Sequence, residues 1–427
     1  MTVTDEPTLE TEQTSDEAPS YPVLTAPSGG VPPVVDTPQE YRRMLASLAD
    51  GEGPVALDTE RAQGFRYSGK AYLIQLRRDG AGSFLLDPTA FEQGRPRADL
   101  SDLAALLEGT EWILHAASQD LPCLAETGLL PRRLFDTELA ARLLGLPKVN
   151  LSALMEQALG ISLLKEHSAA DWSKRPLPIE WLVYAALDVE RLDDLRSWLI
   201  DELDAAGKTE WAYQEFSHLA AHAGDPQGGH AEPWRRTSGL HDVHSPLGLA
   251  VVRELWQVRD EIAQEHDRAP GRVLNDRSVS GIAARVERSK AVPTRVELRQ
   301  ERGFTMRFAA RYERDWLDAI ARVLSLPKSE LPPRQARVAG PPPPRNWQSR
   351  WPDAFARWSR VRPALIARAE ELRLPVENLL SPDVVRRLLW DAPAAADQPW
   401  LAERLTLLGA RPWQRELTIP VLLAHWN

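Results

Sequence analysis

Cysteine is almost missing from this chain of 427 residues, with Cys123 as the single example. An internal disulfide and a cysteine-built zinc site are therefore both excluded. No apolar run is long enough to span a bilayer. The N-terminus lacks the basic-then-apolar pattern of a secretory leader. Together these absences predict a cytoplasmic protein with no membrane partner. Positive charge is missing from residues 1–20, which carry Asp5, Glu6, Glu10, Glu12, Asp16 and Glu17 and no Lys or Arg. Residues 1–33 also lack hydrophobic periodicity, so they read as a disordered acidic tail.

What is present suits a globular protein of several domains. The length exceeds one ordinary core, so two or three domains are expected. The formal net charge of -10 argues, taken alone, against a nucleic-acid partner. Its distribution argues otherwise. Residues 268–314 hold twelve Lys/Arg against five Asp/Glu, a local balance of +7. That segment can face phosphates, although a solvated helical surface has the same composition.

The chain changes character along its length. Thr37-Pro38-Gln39-Glu40 spells a helix start, with an N-cap threonine, proline at the first helical position and a glutamate placed for a capping box. Strand-like apolar runs follow at 54–58, 71–76, 83–87 and 112–117. Helical patterns occupy 100–109, 119–128 and 137–145, and one long helix is predicted over 179–206. Strands first and helices later predict an α/β layer with a mixed sheet flanked by helices. Beyond it lie two all-helical blocks. The predicted boundaries are 34–220 for the first domain, 221–237 for a Gly/His-rich linker and 238–326 for the first helical block. A Pro-rich spacer follows at 327–350, and a Trp-rich second helical block at 351–427. The two helical blocks have the look of distant copies.

Three short stretches carry the chemistry. In "VALDTER", Asp58 and Glu60 lie at i and i+2 on a strand end and so share a face. Side by side without a counter-charge they repel, and a divalent cation with oxygen ligands resolves that conflict. A solvated strand end paired with Arg61 is the plainer reading of one such pair. "HAASQD" places Asp120 after an apolar strand at a helix start, which also suits a simple helix-dipole acid. "YAALD" places Tyr184 and Asp188 at i and i+4 on one helix face. Each piece is weak alone, and the order of the three carries the information.

This set resembles the DEDD superfamily of 3'-to-5' exonucleases in its tyrosine-bearing subclass, and most of all the ribonuclease D family. The element Asp171-Trp172-x-x-Arg175-Pro176-Leu177 before the tyrosine motif belongs to the same likeness, as do "LIQL" (73–76) and "LLDP" (85–88). Residues 245–283 are similar to an HRDC domain, and 362–390 to a second, more divergent copy. The resemblance implies a ribonuclease H-like α/β exonuclease domain followed by two small all-α HRDC-like bundles. It implies two divalent metal ions, magnesium or manganese, held by Asp58, Glu60, Asp120 and Asp188. Tyr184 would orient the attacking water. The implied reaction releases nucleoside 5'-monophosphates from RNA with a single-stranded 3' end, such as a tRNA precursor, without an obligate protein partner.

For substrate binding, Phe65 and Tyr67 are candidate base stackers, and Lys165 and Arg175 candidate phosphate contacts. Trp234, beside Arg235 and Arg236, is a further candidate for touching RNA. His115 reads as a core-edge histidine, and Cys123 as a small hydrophobe. Two rival readings stay open. One is a 3'-to-5' exonuclease acting on DNA, which the same metal chemistry serves. The other is a non-catalytic RNA-binding scaffold with a decayed nuclease domain, against which stands the presence of all five expected site residues.

Overall fold

The computed structural model of the chain describes residues 21–163, 170–226, 228–229, 231–335, 340–390 and 392–426. Lys165 and the acidic tail's first twenty residues lie outside them. Two short strands, β1 (Val23–Leu24) and β2 (Val34–Val35), lead into α1 (Pro38–Asp50). The helix starts as its sequence requires. Thr37 accepts the Glu40 N–H at 3.3 Å and donates to the Glu40 carboxylate at 2.7 Å.

The next strands are β3 (Glu52–Arg61), β4 (Ala71–Asp79), β5 (Gly82–Leu86), β6 (Glu111–Leu114) and β7 (Arg133–Asp136). They form a mixed sheet of order β2-β5-β4-β3-β6-β7. Strand β3 runs antiparallel to β4 and parallel to β6. Strand β8 (Ser162–Leu163) pairs with β1 apart from this sheet. Alternation along β3 sorts its side chains to two faces. Val55 and Leu57 join one core with α1, α2 (Ser101–Leu107) and α3 (Leu121–Ala125). Ala56 joins another with α4 (Thr137–Leu144), α5 (Leu151–Leu159), α7 (Leu192–Ala205) and α8 (Thr209–Ala221).

Three features depart from the sequence expectations. Residues 21–33, expected within the disordered tail, are ordered: they carry β1, paired with β8, and Ser28, bonded to Glu190. Strand β7 was not expected, because its four residues open on an exposed arginine and show no strand-like run. The long helix predicted over 179–206 is two helices, α6 (Ile179–Glu190) and α7, broken at Arg191 with φ -126° and ψ 19°. No Gly or Pro marks the break. Glu190 is drawn inward instead, accepting the Ser28 N–H and hydroxyl at 3.0 and 2.6 Å and facing Arg77 at 3.4 Å.

The two helical blocks follow one backbone plan. The first contains α9 (Pro246–Glu265), α10 (Pro270–Val273), α11 (Asp276–Ser289), α12 (Arg295–Gln300) and α13 (Glu313–Leu324). The second contains α14 (Trp347–Arg350), α15 (Pro352–Glu371), α16 (Val376–Leu379), α17 (Pro382–Trp390), α18 (Gln398–Leu407) and α19 (Pro412–Ala424). Helices α9 and α15 each have 20 residues. Each is followed by a left-handed residue, Asp267 (φ 41°) and Arg373 (φ 52°). A four-residue helix then ends at Leu274 (φ -152°, ψ 126°) or Leu380 (φ -158°, ψ 121°). Every matched pair is offset by 106 positions. Most of the large tryptophans anchor cores, Trp316, Trp347, Trp413 and Trp426 among them. Trp234 does so too, at 4% exposure, with the Arg235 guanidinium 4.2 Å above its ring. It is a core residue of the first bundle and not the exposed RNA contact considered from sequence. No described helix is long and apolar enough to cross a membrane.

Both bundles dock on the α/β domain. Lys208, preceding α8, donates to Leu143 O and Leu372 O, each at 2.7 Å. Trp413 stacks on Trp211 at 4.9 Å and donates to Glu215 at 2.9 Å. At Gly145 the two backbones approach closely: a Cβ there would lie 2.1 Å from Arg373 O, and its φ is already +73°. Gly145→Ala should therefore destabilise the docked form by about 1–3 kcal/mol. Thermal unfolding and limited proteolysis should show a lower melting temperature and earlier release of the C-terminal bundle; unchanged values for both would mean this junction does not hold the bundle.

Candidate active site

The catalytic candidates sit where β3 passes under α6. Asp58 pairs with Gln75 across to β4, and Glu60 with Leu73, with a register shift just beyond at Arg61. Asp58 and Glu60 share the face of β3 that meets α6, where Asp188 stands. One carboxylate oxygen from each of Asp58, Glu60 and Asp188 lies within 4.8 Å of the others. Glu60 is 7% exposed, while Asp58 and Asp188 are half-buried, so solvent reaches the group. Among the described residues none of the three has a Lys or Arg within ion-pair distance. The plainer sequence reading, a strand end paired with Arg61, is not what the structure shows. Arg61 donates instead to Gln119 O at 2.6 Å and stands 4.0 Å from Asp120.

Burial is the main cause that raises these carboxyls, and mutual repulsion adds to it. Asp58 is raised well above the usual carboxylate range by burial and by the charges of Asp120 and Asp188. Glu60 is raised likewise by burial, Asp58 and Asp188. Asp188 is pushed up to about 7 by burial, with a hydrogen bond from Tyr184 working the other way. Burial and the three acidic neighbours raise the Tyr184 phenol above its ordinary value. The phenol thus keeps its proton and bonds Asp188 one helical turn away.

Asp120 is held differently. It is 4% exposed, and its Oδ1 accepts the Thr59 hydroxyl at 2.6 Å, from the face of β3 opposite to Asp58. It lies outside the group of three close oxygens, although its charge reaches Asp58 and Asp188. Burial pushes it up to about 6. Cys123 completes this corner, its thiol bonding Asp120 O at 3.1 Å and touching Thr59 Oγ1 at 3.3 Å. His115 is half-buried with Nδ1 2.9 Å from Thr137 Oγ1, and burial lowers it to about 4, so it stays neutral.

Two residues not singled out from sequence support the site. Asp136, at the end of β7, is 3% exposed and accepts four N–H groups, from Ala116, Ala117, Glu138 and Leu139, at 2.9–3.1 Å. It thereby ties the left-handed turn at Ala116 (φ 59°) that delivers Asp120 to the start of α4. The only sequence signal was the aspartate of "FDT" at an N-cap spacing. Gln75 is fully buried beside Asp58, and neither its amide oxygen nor its nitrogen has a partner among the described residues. Paired positions share a sheet face, so this amide lies on the acidic side.

The substrate-binding expectations fare unevenly. Phe65 is half-buried, with the Arg272 guanidinium 4.0 Å from its ring. The Tyr67 hydroxyl donates to Asp260 at 3.0 Å and its ring packs on the first bundle, so it serves a domain contact rather than an open stacking platform. Arg175 is a correction as well. Its guanidinium holds both oxygens of Asp87, at 2.5 and 2.7 Å, and donates to Tyr72 O, Trp172 O and Lys174 O. A guanidinium so occupied clamps its own loop and has little left for phosphate. Trp172 beside it is fully buried and packs on Trp181 and Tyr184, so this loop backs the tyrosine.

The raised carboxyls make a prediction about the metal-free protein. A carboxyl raised to about 7 in the folded chain binds more protons there than in the unfolded chain, where it titrates near 4. Its contribution to stability is full below about pH 4 and is lost as pH rises through about 7. In EDTA, the melting temperature should fall more from about pH 5 to about pH 8 for the parent than for Asp188→Asn. Parallel pH profiles would show that Asp188 is not held protonated.

Comparisons with known proteins fit this arrangement. A family model described as 3'-5' exonuclease matches residues 32–204, and one described as HRDC domain matches 248–320. A third, described as 3' to 5' exonuclease C-terminal domain, matches 340–426. Ribonuclease D of Pseudomonas paraeruginosa is 32% identical over 65% of this chain and 71% of its own length. That of Gluconacetobacter diazotrophicus is 30% identical over 75% and 79%. Among solved structures, a protein from Bifidobacterium adolescentis is 39% identical with a TM-score of 0.85, over 95% of this chain and 99% of its own. Escherichia coli RNase D shares the fold, at 23% identity and a TM-score of 0.65, over 92% and 97%.

Proposed function

The chain belongs to the ribonuclease D family of 3'-to-5' exoribonucleases, and from that premise we propose that it uses two divalent cations, magnesium or manganese, to remove nucleoside 5'-monophosphates from RNA with a single-stranded 3' extension, such as a tRNA precursor. The observation that carries the reading is the set of three carboxylates from β3 and α6, each within 4.8 Å of the others and none with a Lys or Arg at ion-pair distance among the described residues. Hard divalent cations take oxygen ligands of this kind.

Asp58, Glu60 and Asp188 would hold the cations directly. Asp120, tied to Thr59, would complete the site from the edge. When bound, such a pair of cations stabilises the attacking and leaving oxygens of an in-line phosphoryl displacement. The chain's own groups do the rest. Tyr184 keeps its proton, donates it to Asp188, and leaves its oxygen lone pairs to orient a water in the cleft. It is a poor base at neutral pH, since its phenol is raised above an already high ordinary value. Trp172 fixes the tyrosine ring from behind. The shared backbone plan of the two helical blocks supports reading 351–427 as a divergent second HRDC-like domain.

Two substitutions test the assignment. Asp58→Asn removes one of the three close oxygens and should lower turnover of a 3'-tailed RNA by about three orders of magnitude or more, with the melting curve preserved. Near-parental turnover would overturn the site. Tyr184→Phe should lower kcat about a hundredfold while Mn2+ affinity stays within about threefold. A loss of affinity in place of rate would make the tyrosine a support for the ligands and not an orienting group. RNA and matched DNA oligonucleotides, each with an EDTA control, decide the sugar preference.

A further inference from the structure

The basic segment noted in the sequence folds into one feature that the catalytic reading leaves unused. Arg268, Arg272, Arg307 and Arg311 surround a cavity of about 450 Å3, whose other walls are Met306 and Phe308. Among the described residues none of these four arginines has a carboxylate within 4.0 Å. Other arginines of the same bundle do find carboxylates: Arg259 holds Asp276, Arg295 and Arg299 hold Glu313, and Arg322 holds Glu254. Asp267, beside Arg268 in sequence, is spent on Ser68 N–H at 2.9 Å and the Tyr72 hydroxyl at 3.3 Å. The guanidinium groups of Arg268, Arg272 and Arg311 lie against ring faces and backbone. Arg268 and Arg311 lie 4.6 and 5.9 Å from the Phe308 ring centre. Arg268 also donates to Arg272 O at 3.1 Å.

Four like charges around one cavity repel, and nothing described inside the protein compensates them. An anionic ligand does so. The cavity falls in the size range of sites for a small organic ligand, larger than a phosphate needs. Its apolar wall, half-buried Phe308 beside Met306 at 47% exposure, suits a base face, since bases stack on aromatic rings flanked by arginine. Position adds the last argument. Arg272 bonds Gly64 O at 2.6 Å and covers Phe65 at 4.0 Å. Phe65 in turn packs against the cluster that includes Trp172 and Tyr184. Arg272 thus ties the cavity to the loop that follows the acidic strand end.

We propose that this cavity is an upstream subsite for single-stranded RNA, with backbone phosphates on Arg268, Arg307 and Arg311 and a base against Phe308. The inference rests on the exonuclease reading for its direction, because the strand that leaves the cleft is the 5' side of the residue being removed. It assigns the first bundle a part in holding the substrate and predicts a length dependence. A dinucleotide fills the cleft and does not reach the cavity, whereas a longer strand occupies both.

The test uses the full-length protein carrying Arg307→Ala and Arg311→Ala, both at exposed positions. Binding of a fluorescent single-stranded RNA is followed by anisotropy in EDTA across a salt series, and hydrolysis is measured on that RNA and on a dinucleotide. The double variant should bind the RNA at least about tenfold more weakly. Its salt slope should fall by about 1.4, as for two lost phosphate contacts on a single strand. The rise in KM should appear on the long substrate, with dinucleotide turnover within about twofold of the parent. Parental affinity and slope would overturn the subsite, and so would an equal loss on the dinucleotide. Arg307→Glu alone repeats the comparison if the double variant does not fold. A parent that binds RNA through these arginines but hydrolyses nothing would sink the nuclease reading and leave the subsite standing. Hydrolysis by a parent whose binding ignores the two arginines would do the reverse.

Discussion

Like-charge repulsion at the end of β3 is the constraint around which this molecule is organised. Three carboxylates from two elements meet within 4.8 Å, in a place where burial already disfavours their charge. Such a cluster persists only if the surrounding structure over-determines it. The sheet supplies much of that. Strand β3 is internal at Val55 and Ala56, and its acidic end stays paired with β4 as far as Arg61, which holds it against α6. The break at Arg191, with Glu190 anchored to Ser28 and Arg77, sets where α6 stops and so how Asp188 meets the strand. Asp136 does the same for Asp120, through four N–H groups on one carboxylate.

The helical bundles extend this rigidity to the rim of the cleft. The first grips the loop that follows the acidic strand end, through Tyr67 to Asp260, Ser68 and Tyr72 to Asp267, and Phe65 O to the Ala269 N–H. The second closes on α4 and α8 from another side, through Lys208, Glu215 and the tight approach at Gly145. The loop after a catalytic strand is ordinarily a mobile part of an α/β protein. Here a neighbouring domain immobilises it, which sets the geometry a substrate strand meets before it reaches the carboxylates.

Local signals are legible in the sequence, and signals that depend on a partner in space are not. The Thr37 N-cap, the shared face of Asp58 and Glu60, and the i, i+4 relation of Tyr184 to Asp188 follow from local sequence and from strand and helix periods, and the structure has all three. Strand β7 was invisible because four residues carry no period. The break at Arg191 was invisible because Glu190 is held by residues more than a hundred positions away. Arg175 looked like a phosphate contact because its partner Asp87 lies 88 positions earlier. Tyr67 looked exposed because Asp260 lies 193 positions later. Asp120 was expected among the metal ligands, and only the fold shows that Thr59 reaches it from the opposite face of the strand.

Proton release on metal binding probes the repulsion directly. If Asp58, Glu60 and Asp188 share retained protons at neutral pH, a divalent cation must displace them as it binds. Calorimetric titration of the metal-free protein with Mn2+ at pH 7, in two buffers of different ionisation enthalpy, reads that number. The account predicts a net release of about one proton or more, lost in Asp188→Asn. Mn2+ binding with the same heat in both buffers would mean that the carboxylates were already ionised and compensated, and would contradict it.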